Sequence, residues 1–449
     1  MTIASGMKGS DLPGQASHSA NPILPGYYAD PSILQDGGMV YIYATIDPWG
    51  GKTVGCWESP DWKHWTFHHL NWPTKGACTS PTSKDSMVWA PSVVKGADGK
   101  FHMVVSVGSE VWAGVADSPL GPWKNALGDK PMIPGDFRPG YHMIDAELFQ
   151  DDNGHAYVYW GSGWDWKNGR CWAAKLKSDM ATLDGEVHDV TPPNYFEAPF
   201  MMKHGGRYYL MYSAGKTIEK SYRVHYSVGD APLGPFTEGR NSPVLVSDEA
   251  AGILSPGHHA VFFKDGEPFI LYHRHSIPFD PKFVGRQVCA DRIFFAGDGM
   301  LEKVEPTHAG AKFSQGRAGG LSVVASASSQ DGPDRGPERV TDDNYATRWA
   351  PARGDKDVWI QLDLGSVKDI TRQEIRPEYA WKPYSFLMQS SSDGTTWKTE
   401  ADFTGNRGKG SPIMLEFDDK PLHARYLRLR FPEVSSGDAP PSLWEWSVY

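Results

Sequence analysis

The chain has 449 residues, enough for two domains, and its 44 basic and 54 acidic residues leave a formal net charge of −10. That balance gives no electrostatic footing for nucleic acid or an anionic membrane surface, and no apolar run is long enough to span a bilayer. The 18 tryptophans and 19 tyrosines offer flat apolar faces with a polar edge, which suit β cores and sugar rings alike.

Residues 1–20 are Ser/Gly-rich, lack an apolar stretch and read as a flexible leader; they do not set the compartment. From residue 21 to 306 one grammar recurs five times: a strand-like opening, a Gly-containing turn, then an aromatic-rich strand. The openings fall at Asp30, Trp89, Asp145, Glu197 and His258, at near-regular intervals. The turns include Asp36-Gly37-Gly38, Asp98-Gly99, Asn153-Gly154, Gly205-Gly206 and Asp265-Gly266, sequences that supply the positive φ of tight hairpins. A second echo links Asp117-Ser118-Pro119-Leu120-Gly121-Pro122-Trp123 to Asp230-Ala231-Pro232-Leu233-Gly234-Pro235-Phe236. The period predicts five four-stranded blades, a β-propeller whose five openings converge at one mouth of the central channel.

Residues 307–320, with Gly310, Gly316, Gly319 and Gly320, break the pattern and read as a linker. From 321 to 449 short alternating runs return. Val358, Ile360, Leu362 and Leu364 alternate with Trp359, Gln361 and Asp363, and Leu427, Leu429 and Phe431 with Arg428 and Arg430. This predicts a smaller antiparallel β-sandwich. The fold class is therefore all-β, a five-bladed propeller followed by a sandwich. Among Cys56, Cys78, Cys171 and Cys289 no CxxC pair occurs, which argues against a zinc ribbon or redox motif; a Cys56–Cys78 bridge and four buried thiols both stay open.

No Walker motif, HExxH or GxSxG is present. Three carboxylates, Asp30, Asp145 and Glu197, and a histidine at one mouth point to acid–base work. Glycoside hydrolysis needs two carboxyl groups in opposite protonation states, and a third nearby raises the pKa of the one that stays protonated. Taken singly, Asp30 before Pro31 also fits a turn, and Asp145 near Glu147 a solvated pair. Glu197 between Phe196 and Ala198-Pro199-Phe200 is costly to bury unless paired or used. Their common phase in the repeat is what makes the set specific.

At these residues the chain resembles glycoside hydrolase family 43, inverting enzymes on a five-bladed propeller, over about residues 21–305. The resemblance implies that Asp30, in Ala29-Asp30-Pro31-Ser32, is the general base, that Asp145, in Ile144-Asp145-Ala146-Glu147, tunes and orients the acid, and that Glu197, in Glu197-Ala198-Pro199, is the general acid. It places His258, in Ser255-Pro256-Gly257-His258, at the channel axis beside a calcium or water, and Arg286 within reach of the substrate. Trp89, Tyr141 and Phe196 are further candidates for the sugar pocket, with Trp49 and Tyr222. The C-terminal residues resemble a discoidin-like, coagulation-factor type C sandwich, through Thr341-Asp342-Asp343-Asn344 with Thr347-Arg348-Trp349, Gln361-Leu362-Asp363-Leu364-Gly365 and Ala424-Arg425-Tyr426-Leu427-Arg428-Leu429. There the resemblance implies a structural calcium held by Asp342, Thr347 and Glu445, although Asp343 stands where relatives have Gly. A sugar-binding role and a packed structural appendage are both open for this domain.

These readings give an exo-acting inverting glycosidase for plant-type polysaccharide or its oligomers. The expected substrates are α-L-arabinofuranosides or β-D-xylosides, with a β-galactoside as runner-up. The chemistry requires no cofactor, and the partner is a carbohydrate. A non-catalytic carbohydrate-binding propeller and a structural scaffold are the rivals; a lectin has no need of three carboxylates.

Overall fold

The computed structural model describes residues 13–83, 87–317, 319–405, 409–417, 420–432 and 440–449. The turns form as their residues dictate. Gly37-Gly38, Gly205-Gly206 and Asp265-Gly266 all take positive φ, joining strand pairs whose last partners are Asp36 with Met39, His204 with Arg207, and Lys264 with Glu267. The strands so paired assemble into four four-stranded antiparallel sheets and a fifth of three strands. The expected fourth strand of the last blade is thus absent among the described residues. The innermost strands are Tyr28–Asp36, Val88–Lys95, Glu147–Gln150, Glu197–His204 and Gly257–Lys264. Each neighbours the next, and the fifth lies beside the first, so the ring closes.

The repeated feature at the mouth is a backbone shape, not a carboxylate. Asp30, Ala90, Asp145, Ala198 and His258 all adopt left-handed φ, between 39° and 58°. In four of the blades the register breaks at this point, between Ala29 and Ser32, Trp89 and Ser92, Glu197 and Phe200, and Gly257 and Ala260. The phase read from the sequence is corrected accordingly: Trp89 and Glu197 stand one residue before the repeated position, which Ala90 and Ala198 occupy. Asp30, Asp145 and Glu197 therefore do not share one phase, and Glu197 leaves its strand from the other side of the bulge.

A bulged residue cannot give its N–H to the ladder, so each buried amide needs another acceptor. The preceding blade supplies it. Ala90 N–H donates to Thr45 Oγ1 (2.8 Å), Asp145 N–H to Ser106 Oγ (2.9 Å), His258 N–H to Ser213 Oγ (2.9 Å), and Asp30 N–H to His273 Nδ1 (3.2 Å) across the closure. In the third blade the corresponding place is Gly161, whose own N–H bonds Ile144 O and which has no side chain to offer. There the Ala198 amide turns to the Asp145 carboxylate instead. The single break in the scaffold pattern thus falls on the Asp145 carboxylate.

Between blades the packing is aromatic and aliphatic. Tyr43, Trp72, Trp112 and Trp123 fill one cluster, together with Cys56 and Cys78. All four cysteines are buried and unbridged, which decides for thiols over the Cys56–Cys78 disulfide.

The chain divides into two units, one of Tyr27–Trp62 with His68–Thr307, the other of the described residues up to Gly26 with Lys63–Phe67 and His308–Tyr449. The second unit has a five-stranded and a three-stranded antiparallel sheet. Ile360, Leu362, Leu427 and Leu429 point into its core with Trp349 and Trp446, as their alternation predicts. Two expectations change here. Residues 13–20 of the expected leader are tied into this unit: Asn344 Nδ2 donates to Gly14 O (2.7 Å) and Ala16 O (3.0 Å), and buried Arg317 to Ser19 O (2.7 Å) and Pro22 O (2.9 Å); residues 1–12 lie outside the described residues. The expected linker contains that same Arg317 and a 3-10 turn at Lys312–Ser314, so it is part of the fold rather than a spacer.

Ser106→Ala should leave the Asp145 amide buried and unpaired, at a cost of about 1–3 kcal/mol. A urea unfolding curve with an unchanged midpoint would refute the capping role.

Candidate active site

At the mouth lies a cavity of about 290 Å³ lined by Asp30, Asp145 and Glu197 together. Its walls include Trp49, Trp89, His142, Trp164, Trp166, Phe196, His258 and Arg286. Of the residues expected there, Tyr222 does not line it but reaches Glu197 through its hydroxyl, and Tyr141 does not line it at all. Its ring packs edge-on against Trp172 (5.2 Å between centroids), within the third blade's cluster, and its neighbour His142 faces the cavity instead. The two neighbours lie in the segment before the strand Glu147–Gln150, where His142, not Tyr141, pairs with Ser162 in an isolated bridge.

Asp30 is held on both oxygens. Thr45 Oγ1 donates to Oδ2 (2.7 Å) and Arg286 Nη1 to Oδ1 (3.0 Å), with His258 Nδ1 3.2 Å from the same oxygen. Burial alone would raise its pKa, but the Arg286 charge foremost, with His258 and His273, carries it well below the usual carboxylate range. Arg286 is itself gripped by Asp47. Its backbone N–H and Nε both donate to Asp47 Oδ2 (2.8 Å each), and Nη2 to Oδ1 (2.7 Å). Burial pushes the Asp47 carboxyl up, and the Arg286 charge and hydrogen bonds oppose that push. Three of the guanidinium's directions are thus committed to protein carboxylates, and its work in this structure is to set charge and orientation.

Asp145 and Glu197 are the opposite case. Burial, then the neighbouring Glu197 and Asp30 charges, push Asp145 well up. Burial raises Glu197 to about 7, opposed by hydrogen bonds from Tyr222 and Ser162 and increased by Asp30. Tyr222 Oη donates to Glu197 Oε1 (2.7 Å) and Ser162 Oγ to Oε2 (3.1 Å). The Tyr222 ring lies parallel to His273 at 5.7 Å, linking the acid's support to the cap of the Asp30 amide. Asp30 is thus held ionised and Glu197 raised toward neutrality within one cavity.

The expected metal ligands do not fit an ion. His258 Nδ1 is turned to Asp30 and, at 3.7 Å, to Asp145. In the second unit Thr347 Oγ1 donates to Asp342 Oδ2 (2.7 Å), while Arg339 and Arg317 stand 3.5 Å and 3.2 Å from Asp342 and Asp343, putting positive charge where a cation would have to sit. Asp343 takes φ of 54°, a left-handed conformation that favours Gly. Glu445 is buried and pushed well up, first by burial and then by Asp342 and Asp343. Among the described residues no group of three or more His, Cys, Asp or Glu side chains is arranged to hold a metal.

Sequence reasoning missed Asp47, Thr45, Ser162, His273 and Trp164. Asp47-Pro48 after an aromatic strand was a readable signal, of the same kind as Asp30-Pro31; the others are single residues whose meaning depends on their partners.

A closed five-bladed propeller with an ionised and a protonated carboxyl facing one aromatic cavity defines a glycoside hydrolase. Residues 19–301 match glycosyl hydrolases family 43, and the chain belongs to that family. Residues 324–446 match the F5/8 type C domain. A β-D-galactofuranosidase of Aspergillus niger is 34% identical over 310 residues, 66% of this chain and 87% of that protein. An arabinoxylan arabinofuranohydrolase of Bacillus subtilis is 27% identical over 65% of each chain. Among solved structures, a glycoside hydrolase superposes with a TM-score of 0.80 at 27% identity, covering 97% of this chain and 99% of that one, and an α-L-arabinofuranosidase of Clostridium thermocellum with 0.51 at 27%, covering 63% and 95%.

With Glu197 as the proton donor, kcat/KM should fall about tenfold per pH unit above about 7. Asp47→Asn removes an anion beside Arg286; the less compensated guanidinium then favours ionised Glu197 and Asp145, and this basic limb should move to lower pH. An unmoved limb in the variant's pH–rate profile would reduce Asp47 to a packing role.

Proposed function

We propose that the propeller hydrolyses terminal glycosidic bonds by single displacement, with inversion at the anomeric carbon. Glu197 gives its proton to the leaving oxygen while Asp30 takes a proton from the water that attacks from the opposite face. Asp145 lines the same cavity, is itself pushed well up by burial and by the Glu197 and Asp30 charges, and orients the acid. The observation that carries this reading is the opposed protonation of Asp30 and Glu197, one held down by Arg286, the other raised by burial.

The substrate class is an α-L-arabinofuranoside or β-D-xyloside of plant-type polysaccharide. Relatives named arabinoxylan arabinofuranohydrolase and xylosidase/arabinosidase support it. A β-D-galactofuranoside is the second reading, favoured by the 34% identical relative of that name. The two furanosides share their ring configuration and differ in the exocyclic carbons, so one pocket floor serves both and the room beyond C4 decides between them. A panel of nitrophenyl α-L-arabinofuranoside, β-D-xyloside and β-D-galactofuranoside ranks the three; no turnover of any of them contradicts this substrate assignment.

Proton NMR of the first product formed should show the inverted anomer, and the retained anomer would exclude single displacement. Glu197→Ala should cut turnover on the order of 10²–10⁴-fold for sugar leaving groups and much less for nitrophenolate, which departs without a proton. Equal losses on both would contradict the acid assignment.

A further inference from the structure

Residues 161–171 join the third blade's second strand, Ala156–Trp160, to its third, Trp172–Leu176. This loop begins with Ser162, whose hydroxyl donates to Glu197 Oε2, and two residues on it carries Trp164 into the cavity wall. We propose that Trp164 is the platform for the leaving-group sugar, the residue that departs with the oxygen protonated by Glu197. The inference deepens the functional reading above and rests on its assignment of Glu197 as the acid.

The argument for the side is topological. In a single displacement the acid stands with the leaving group, and the base with the water on the far face. Trp164 is tethered to the acid's own hydrogen-bond partner. The cavity's other exposed tryptophan, Trp49, lies with the base instead, 5.5 Å from the guanidinium of Arg286 that binds Asp30. The two indoles thus belong to opposite ends of the reaction.

The loop is built to hold its side chain still. A Cβ on Gly163 would fall 1.6 Å from Lys167 O, and one on Gly169 2.3 Å from Phe196 O, so the chain closes on itself and on the strand entry beside Glu197. Lys167 N–H donates to Trp164 O (3.0 Å). The Trp164 indole stacks on His142 at 4.1 Å and 26°, and burial holds His142 down to about 4, so both rings are uncharged at neutral pH. His142 is braced in turn by the edge contact with Trp89 (6.2 Å). Yet Trp164 remains 50% exposed. An indole backed by a rigid stack and open to a cavity matches the apolar face of a sugar ring better than it serves the core.

The test compares kcat/KM on a disaccharide or longer oligomer with that on the methyl glycoside of the same terminal sugar, for the wild type, Trp164→Ala and Trp164→Phe. Trp164→Ala should lose at least about tenfold more on the oligomer than on the methyl glycoside, and Trp164→Phe should restore most of that difference. An equal change on both substrates, or no change on either, overturns the platform while leaving the hydrolase reading intact. Absence of wild-type turnover on both would refute the substrate assignment that this inference rests on, and the inference with it.

Discussion

One guanidinium faces four carboxyl groups at the propeller mouth, three of them buried and Glu197 partly so, and the protonation of the site follows from that imbalance. Arg286 is the single Lys or Arg among the described residues lining the cavity. It touches Asp47 and Asp30 directly. Asp145 and Glu197 feel it only through space and remain dominated by burial. A low-dielectric pocket cannot hold four anions against one cation, so the pair in contact with the cation ionises and the pair beyond it keeps a proton. Base and acid are separated by distance from Arg286 rather than by residue type.

That division survives only if the carboxylates are held at fixed distances, and the bulge ring supplies the fixation. Each opening residue is locked in a left-handed conformation by its neighbours, and its amide is answered by the blade before it. Left-handed φ is tolerated by Asp30, Asp145 and His258 and costs more at Ala90 and Ala198, a strain sustained by the closed ring. Where Gly161 withholds a cap, the Asp145 carboxylate becomes the acceptor, which both anchors Asp145 and aims it.

The second unit shows a different economy of charge. Arg317 alone reaches Ser19, Pro22 and Asp343 while lying 4.0 Å over the Tyr345 ring, so one buried guanidinium stitches the described N-terminal residues to the sandwich. Arg317 and Arg339 set positive charge against the acidic pair, Arg317 beside Asp343 and Arg339 beside Asp342.

The sequence by itself determined the strands, the hairpin turns, the five-fold count and the sandwich, because these rest on local φ preferences and period-two burial. Motif-bearing Asp30, Asp145, Glu197 and Arg286 were legible for the same reason: each sits in a short stretch with its own grammar. Asp47, Ser162 and His273 were not. Their meaning lies in partners 239, 35 and 243 residues away, brought into reach only when the ring closes. The phase of Glu197 was hidden too, since a bulge is a backbone torsion that no residue type spells out. Tertiary structure decided which carboxyl lies against the guanidinium, and with it which one is held down and which one is raised, because the Coulomb energy in a buried site depends on ångström distances that the order of residues does not contain.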